Sequence, residues 1–362
     1  MVVRSTPNCS ATWLAGLFPT PDARGSVTAN RNAIKGSSFT SEVIAGGTWN
    51  DEAVGVRSIR KVHSAPAFPS RSVPSAGAPT MSTSSPSPAA PVRPGFIHTD
   101  DGVTLFCRDW GEGKPVVFLS SWSLNSDSWA YQMLALAEHG YRCVAYDRRG
   151  HGRSSDPGTG FDFDRLADDL ATLLDTLDLE GVTLVGHSMS CGEIIRYLSR
   201  HGSRRVSRAV LVGTVTPTLS RTNDNPEGID PAVFESFRSD WLMRDFPAWL
   251  EDNIRPFLTA ESSPDMMAWV KSMALQASMK ALLDCHRATT STDFRQELQD
   301  IAVPTLLIHG DLDVSSPLGI TGRKTAELMP NATLTVYEGA PHGLFLTHMD
   351  RFNRDLLTFL DA

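Results

Sequence analysis

The chain has 362 residues, of which 41% are hydrophobic and 20% are charged, the balance of a globular protein that buries a large apolar core. Its formal net charge of −8 argues against nucleic acid or an anionic membrane surface as the main partner. No apolar run approaches the roughly 20 residues that a membrane-spanning helix needs, so we expect no membrane span.

The cysteines are widely spaced in the sequence and form no Cys-x-x-Cys pair. They are Cys9, Cys107, Cys143, Cys191 and Cys285. Such spacing signals neither a zinc site nor a disulfide framework. We therefore expect no bound metal, and a reducing, cytoplasmic compartment is favoured.

Residues 1–94 differ in composition from the rest of the chain. They are rich in Ser, Ala, Pro and Arg and poor in acidic residues, and the stretch "SAPAFPSRSVPSAGAPTMSTSSPSPAAPVRP" (64–94) can bury almost nothing. We therefore expect a disordered leader. Its origin stays open between an organelle transit peptide, for which this composition is typical, and a gene whose natural start is Met81.

From residue 95 onward, strand-like and helix-like stretches alternate. In chain order they predict a hairpin over 95–111, a strand over 115–120, a helix ending at Gly140, a strand over 141–147, a helix over 163–177, a strand over 182–187 followed by a helix, strands over 206–214 and 304–310, a helix over 317–328, a strand over 332–339 and a last helix over 350–361. Asp127 or Ser128 is the expected cap of the first helix. The alternation predicts an α/β fold with a mostly parallel sheet and helices on both faces.

Residues 216–298 interrupt this alternation. They contain no strand-like run, and "VFESFRSDWLMRDFPAWLEDNIRPFL" and "MMAWVKSMALQASMKALLDC" favour helices. We expect a helical lid here, inserted into a core made of residues 95–215 and 299–362. Most of its Trp and Met side chains should form the lid's own core, and a few should line an apolar cleft.

The stretch "TLVGHSMSCGEII" (183–195) raises the question of function. It passes from a buried strand to a helix within a few residues and leaves the hydroxyl of Ser188 at the corner. This is the Gly-x-Ser-x-Gly nucleophile elbow, in which small flanking residues relieve the crowding of a sharp turn. Here Gly186 is present and Ser190 stands at the last position of the motif.

A serine hydroxyl at neutral pH needs a nearby base, and the base needs a third group that fixes its tautomer. The loop after strand 304–310 presents Asp311 and Asp313, and the loop after the last strand presents His342. The carboxyl ends of parallel strands lie at one edge of a sheet, so we expect the serine, an acid and the histidine to converge there.

Four stretches carry a resemblance to a known family: "DRRGHGRSS" (147–155), "LVGHSMS" (184–190), "PTLLIHGDLD" (304–313) and "APHGL" (340–344). With them the chain from about residue 96 resembles the α/β-hydrolase superfamily, and it is most similar to the cofactor-free, haloperoxidase-like serine esterases and perhydrolases. The resemblance implies an α/β-hydrolase fold, a catalytic triad of Ser188, Asp313 and His342, and no cofactor. Asp313 is chosen because the family's acid lies three places after the glycine that ends its strand; Asp311 is the alternative.

Attack on a carbonyl also requires fixed donors for the oxyanion. We expect the backbone N–H groups of Met189, directly after the nucleophile, and of Trp122, in the loop after an early strand. Relatives usually have His-Gly where this chain has Ser120-Ser121, so Ser121 must tolerate backbone angles that glycine accepts freely, and either hydroxyl could add a donor. The ring of Trp122 should project into the cleft.

The first hypothesis is therefore a serine hydrolase that cleaves small carboxylic esters or lactones through an acyl-enzyme, with a small-molecule ester as its partner and without cofactor or metal. One alternative is a carbon–carbon bond hydrolase acting on diketones with the same triad. Another is a low-turnover, ligand-binding receptor that retains the fold. The sequence names neither the substrate nor the oligomeric state.

Overall fold

The computed structural model describes residues 93–362. The predicted disordered leader, residues 1–94, therefore lies almost wholly outside the described residues, as does Cys9. The four other cysteines are buried and free. Among the described helices, none combines the length and apolar character that a membrane crossing demands.

Eight strands form one sheet in the order β1-β2-β4-β3-β5-β6-β7-β8. The strands are β1 Phe96–His98, β2 Thr104–Trp110, β3 Lys114–Leu119, β4 Tyr141–Tyr146, β5 Val182–His187, β6 Val206–Val212, β7 Thr305–Gly310 and β8 Ala332–Tyr337. β2 pairs antiparallel with β1 and with β4, and all later pairs are parallel. The predicted mostly parallel sheet is confirmed.

The described α-helices follow the strands in the expected rhythm. They are α1 Ala130–Glu138, α2 Phe163–Thr176, α3 Met189–His201, α4 Pro231–Ser236, α5 Phe246–Phe257, α6 Pro264–Ala274, α7 Met279–Ser291, α8 Arg295–Asp300, α9 Gly322–Leu328, α10 Leu344–Thr347 and α11 Met349–Asp361. A short 3-10 turn, Ser126–Trp129, precedes α1, and a π-helical turn, Phe237–Leu242, follows α4.

Both faces of the sheet are covered, because successive strand residues point to opposite sides. On β3, Val117 and Leu119 belong to a buried apolar cluster that includes side chains of α2 and α3. Phe118 between them faces the other way and packs on Trp129, with ring centroids 5.2 Å apart. α1 and α11 contact each other on that second face. The prediction of helices on both faces is confirmed.

Some local expectations were wrong in detail. The cap before α1 is Asn125, neither Asp127 nor Ser128: its side-chain oxygen accepts a hydrogen bond of 3.0 Å from the N–H of Asp127 and begins the 3-10 turn. The helix expected from residue 317 begins at Gly322, and the short helix α10 precedes the last one.

Between β6 and β7 the chain is helical from α4 to α8. α5 contacts α6, and α7 contacts the π-helical turn, so these helices pack on one another. The boundaries 216–298 and the role of this insertion as a lid stay predictions.

Candidate active site

Ser188 lies alone between the last residue of β5 and the first of α3. Its backbone angles are φ 59° and ψ −117°, a region that residues with a side chain rarely adopt. The N–H of Ser188 donates to the carbonyl oxygen of Val212 at 2.8 Å, and its own carbonyl accepts from the N–H of Cys191 at 3.0 Å. These two bonds hold the strained corner in place.

Small and hydroxylic residues around the corner make the sharp turn possible. A Cβ added to Gly186 would lie 2.7 Å from Cδ1 of Ile194 and 3.0 Å from the carbonyl oxygen of Ser190, so glycine is required there. Oγ of Ser190 accepts from the N–H of His187 at 2.8 Å and donates to the carbonyl oxygen of Leu119 at 2.8 Å. The serine at the last motif position thus joins the end of β3 to the elbow.

Asp313 and His342, which the sequence places 29 residues apart, are hydrogen-bonded. Nδ1 of His342 donates to Oδ2 of Asp313 at 2.6 Å, and both side chains are buried. Oδ1 of Asp313 accepts from the N–H groups of Ser315 at 2.9 Å and Ser316 at 2.7 Å. Because the carboxylate only accepts, Nδ1 of His342 carries a proton and Nε2 is left to act as a base.

The carboxyl group of Asp313 is kept ionised. Burial acts to raise its pKa, but the charge of His342 and hydrogen bonds from His309 and His342 outweigh burial and hold the pKa well below its usual range. Nε2 of His309 lies 3.4 Å from Oδ2 of Asp313 and donates to the carbonyl oxygen of Ser316 at 2.8 Å. The alternative acid, Asp311, accepts from the N–H of Gly339 at 2.7 Å and serves the loop instead.

The Asp313–His342 pair lies beside the elbow. Val212, which accepts the N–H of Ser188, is followed by Gly213, whose φ is 52°. A Cβ at Gly213 would lie only 3.1 Å from Nδ1 of His342 and 3.2 Å from Oδ2 of Asp313. The structure thus brings the three predicted triad residues to one edge of the sheet.

His187 adds a link that the sequence did not reveal. Its Nε2 donates to the carbonyl oxygen of His342 at 3.0 Å, and the two rings are 4.6 Å apart. Burial, together with the charge of His342, holds the pKa of His187 well below its usual value, so its ring is neutral. The hydrogen bond from His187 therefore holds the backbone of His342 next to the elbow.

The loop after β3 carries one predicted oxyanion donor, Trp122, and α3 begins with the other, Met189. Among the residues that the structure describes, neither the N–H of Trp122 nor that of Met189 finds an acceptor. The left-handed residue of this loop is Ser123, with φ 66°, so the expectation that Ser121 must adopt glycine-like angles was wrong. Oγ of Ser120 lies 3.4 Å from Oγ of Ser128, inside the loop.

The half-buried ring of Trp122 packs against the helical insertion. Its centroid lies 5.8 to 6.0 Å from those of Phe237, Phe246, Trp249 and His286, all with edge contacts. Its Nε1 donates to the carbonyl oxygen of Leu282 at 2.9 Å. The loop with a predicted oxyanion donor is therefore bound to α7 and surrounded by aromatic side chains. The sequence did not show which aromatic residues of the insertion would lie here.

Known proteins share this architecture. The family model described as alpha/beta hydrolase fold matches residues 114–349. A non-heme chloroperoxidase of Kitasatospora aureofaciens is 42% identical over 272 residues, which are 73% of this chain and 98% of that protein. A bifunctional esterase/perhydrolase of Acinetobacter calcoaceticus is 37% identical over 274 residues, 74% of this chain and 99% of that protein. The crystal structure of a bromoperoxidase from Bacillus anthracis has a TM-score of 0.71 and 40% identity and covers 74% of this chain and 99% of its own.

Proposed function

The chain belongs to the α/β-hydrolase family, and from that premise we propose that it is a serine hydrolase of small carboxylic esters or lactones that works through an acyl-enzyme. The observation that carries the proposal is the 2.6 Å bond from His342 to Asp313, next to the strained corner at Ser188. In the proposed site Ser188 is the nucleophile, His342 the base and Asp313 the residue that orients the base.

In the first half of the reaction, Nε2 of His342 takes the proton of Ser188 while Oγ attacks the substrate carbonyl. Asp313 keeps Nδ1 of His342 protonated and offsets the positive charge that the ring acquires. The histidine then gives the proton to the departing alcohol, and the acyl group stays on Ser188.

The N–H groups of Met189 and Trp122 are the proposed donors to the oxyanion. Support comes from their position, directly after the nucleophile and in the loop after β3, and from the lack of a protein acceptor for either group among residues 93–362. Donors that are fixed before the reaction starts stabilise the charge without reorganisation.

In the second half, water attacks the acyl-enzyme with His342 again as the base. Peroxide in place of water would give a peracid, so perhydrolysis is the proposed side activity. A relative that bears the name esterase/perhydrolase supports both outcomes.

Labelling with a fluorophosphonate, which reacts with activated serines, tests the proposal. Wild-type protein should be labelled and should hydrolyse p-nitrophenyl acetate, and Ser188→Ala should lose both. The matched control is Ser190→Gly, two positions after the nucleophile. It restores the glycine that ends the Gly-x-Ser-x-Gly motif, so this variant should still be labelled. A wild-type protein that takes no label contradicts the proposal.

The same assay separates the alternatives. Cleavage of a vinylogous diketone without cleavage of esters would indicate the carbon–carbon hydrolase. Tight ligand binding with neither reaction would indicate the receptor. The esterase among the similar proteins favours ester cleavage.

A further inference from the structure

Arg148 and Glu193 form a buried ion pair that the proposed mechanism does not use. Their side chains are 3% and 1% exposed. Nε of Arg148 donates to Oε1 of Glu193 at 2.6 Å, and the hydroxyl of Tyr146 lies 3.4 Å from Oε2. Replacing such a pair by apolar side chains often leaves stability unchanged, so stability alone does not account for it.

The other nitrogens of the guanidinium bond the loop after β3. Nη2 donates to the carbonyl oxygen of Ser120 at 2.7 Å, and Nη1 donates to that of Ser121 at 3.3 Å. The N–H of Leu124 also donates to the carbonyl of Ser121, at 3.3 Å. Among the described residues, Arg148 is the only donor to the carbonyl of Ser120.

These bonds fix the direction of the next amide. In a trans peptide the C=O and N–H groups point in opposite directions. The carbonyl of Ser121 and the N–H of Trp122 belong to the same peptide unit. With that carbonyl turned toward Arg148, the N–H of Trp122 points away from it.

Glu193 connects Arg148 to the nucleophile. It lies on α3, the helix that begins with Met189 directly after Ser188. The ion pair therefore bridges the two segments that carry the proposed oxyanion donors, the helix of Met189 and the loop of Trp122. The two charges offset each other, so the bridge acts on geometry rather than by attracting the oxyanion.

We propose that Arg148, held by Glu193, is a positioning residue that aims the backbone N–H of Trp122 at the oxyanion. The inference rests on the proposed hydrolase function. It assigns a catalytic consequence to a residue of the "DRRGHGRSS" stretch that contacts neither the nucleophile nor the base.

The test compares kcat, KM and the inhibition constant of a trifluoromethyl ketone, a probe that a serine converts into a tetrahedral oxyanion. Active sites are counted with the fluorophosphonate, so kcat refers to folded enzyme. Arg148→Met combined with Glu193→Leu removes both charges together and leaves neither ion unpaired. Arg148→Lys keeps the charge opposite Glu193, but one ammonium cannot replace the guanidinium at Glu193 and both carbonyls.

The matched control is Arg149→Met with Asp169→Leu. Arg149 is the next residue and is equally buried in a bond of 2.7 Å to Asp169, but it makes no bond to residues 120–122. This double variant should stay within about threefold of wild type in kcat, KM and the inhibition constant.

We expect kcat of the Arg148→Met, Glu193→Leu variant to fall by about 10- to 100-fold, a loss whose upper value reaches the lower end of the roughly 100- to 1,000-fold loss for removing one oxyanion donor outright. KM should stay within about threefold, and the inhibition constant should rise by the same factor as kcat/KM falls. Arg148→Lys should lie between this variant and wild type, and it decides the matter if the double variant does not fold.

Unchanged kcat and inhibition constant in both Arg148 variants would overturn the inference, as would an equal loss in the Arg149 control. If wild-type protein neither hydrolyses esters nor takes the label, the proposed function fails, and the inference fails with it. The two failures are distinguishable, because wild-type activity stays intact when only the inference about Arg148 fails.

Discussion

At the scale of single residues, the site depends on two positions with positive φ. Ser188 holds φ 59° at a backbone cost of about 1–3 kcal/mol, which its neighbours must offset. Gly213, with φ 52°, lies behind the Asp313–His342 pair. The first position directs a hydroxyl away from the sheet, and the second leaves room for the pair that serves it.

Gly213→Ala should therefore impair activity beyond its effect on stability. The new methyl group would come within 3.1 Å of Nδ1 of His342 and 3.2 Å of Oδ2 of Asp313, which is too close for the two groups to keep their places. We expect kcat/KM for an ester to fall by about tenfold or more, measured on active sites counted by labelling.

The control is Gly158→Ala, at φ 70° with no atom within 4 Å of the added Cβ. It carries the same kind of backbone strain, so both variants should lose about 1 kcal/mol in urea unfolding. Equal activity in the two variants would show that the space at Gly213 has no role in the site.

At the scale of elements, local patterns in the sequence predicted where the strands lie. Seven of the eight strands lie within the predicted strand and hairpin segments, and β3 begins one residue early, at Lys114. A short apolar run bounded by glycine or polar residues can be recognised from the local sequence alone. Asn125 was missed as the cap because Asn125, Asp127 and Ser128 lie within four residues and are all good caps, and the choice between them depends on the 3-10 turn.

The site was predictable in part for the same reason. Ser188, His342 and the two candidate acids, Asp311 and Asp313, each follow a strand, so chain order proposed them before any contact was known, and the family resemblance chose Asp313. Arg148 gave no such signal, since its partner Glu193 is 45 residues away and the bonds to Ser120 depend on how the loop folds. Contacts between distant elements follow from packing, which no local pattern encodes.

Helix α5 and the loop of His342 form one such contact. The N–H of Gly343 donates to the carbonyl oxygen of Phe257 at 2.7 Å, and the ring of Phe257 lies 5.8 Å from that of His342. A Cβ at Gly343 would come within 2.6 Å of the Phe257 carbonyl and 2.8 Å of its ring. The helical insertion therefore leaves no room for a side chain next to the proposed base.

Gly343→Ala should separate α5 from this loop. Because φ of Gly343 is −83°, alanine adds no backbone strain there, and the displacement of Phe257 is the whole effect. We expect kcat/KM to fall about tenfold, measured with p-nitrophenyl acetate. Gly319→Ala, where an added Cβ meets nothing within 4 Å, should leave activity at the wild-type level, and a loss there would show that the assay reports general damage.

At the scale of the whole molecule, buried neutral histidines link stability to pH. Burial, reinforced by the charge of Arg148, lowers the pKa of His151 from 6.5 to about 3. Between these values the unfolded chain binds a proton at this position and the folded chain does not. Acidification from about pH 6.5 toward pH 3 therefore favours the unfolded state.

His151→Gln should make this loss of stability less steep. Between pH 5 and 6 the free energy of unfolding in urea should change by about 1 kcal/mol less per pH unit than in wild type. Gln can still donate to the carbonyl of Arg149, which His151 bonds at 2.9 Å. His98→Gln, at an exposed ring solvated in both states, is the control, and an equal change in both variants would contradict a role for burial.

Shortening the chain tests whether the residues before Met81 contribute to activity. All proposed site residues lie within 93–362, and the similar chloroperoxidase aligns over 98% of its own length while covering 73% of this chain. A chain that begins at Met81 should therefore hydrolyse esters with the same kcat and KM as the full-length chain. Both chains are measured with a panel of esters of increasing acyl length. A change in kcat, or in the preferred acyl length, would mean that residues before Met81 act on the site.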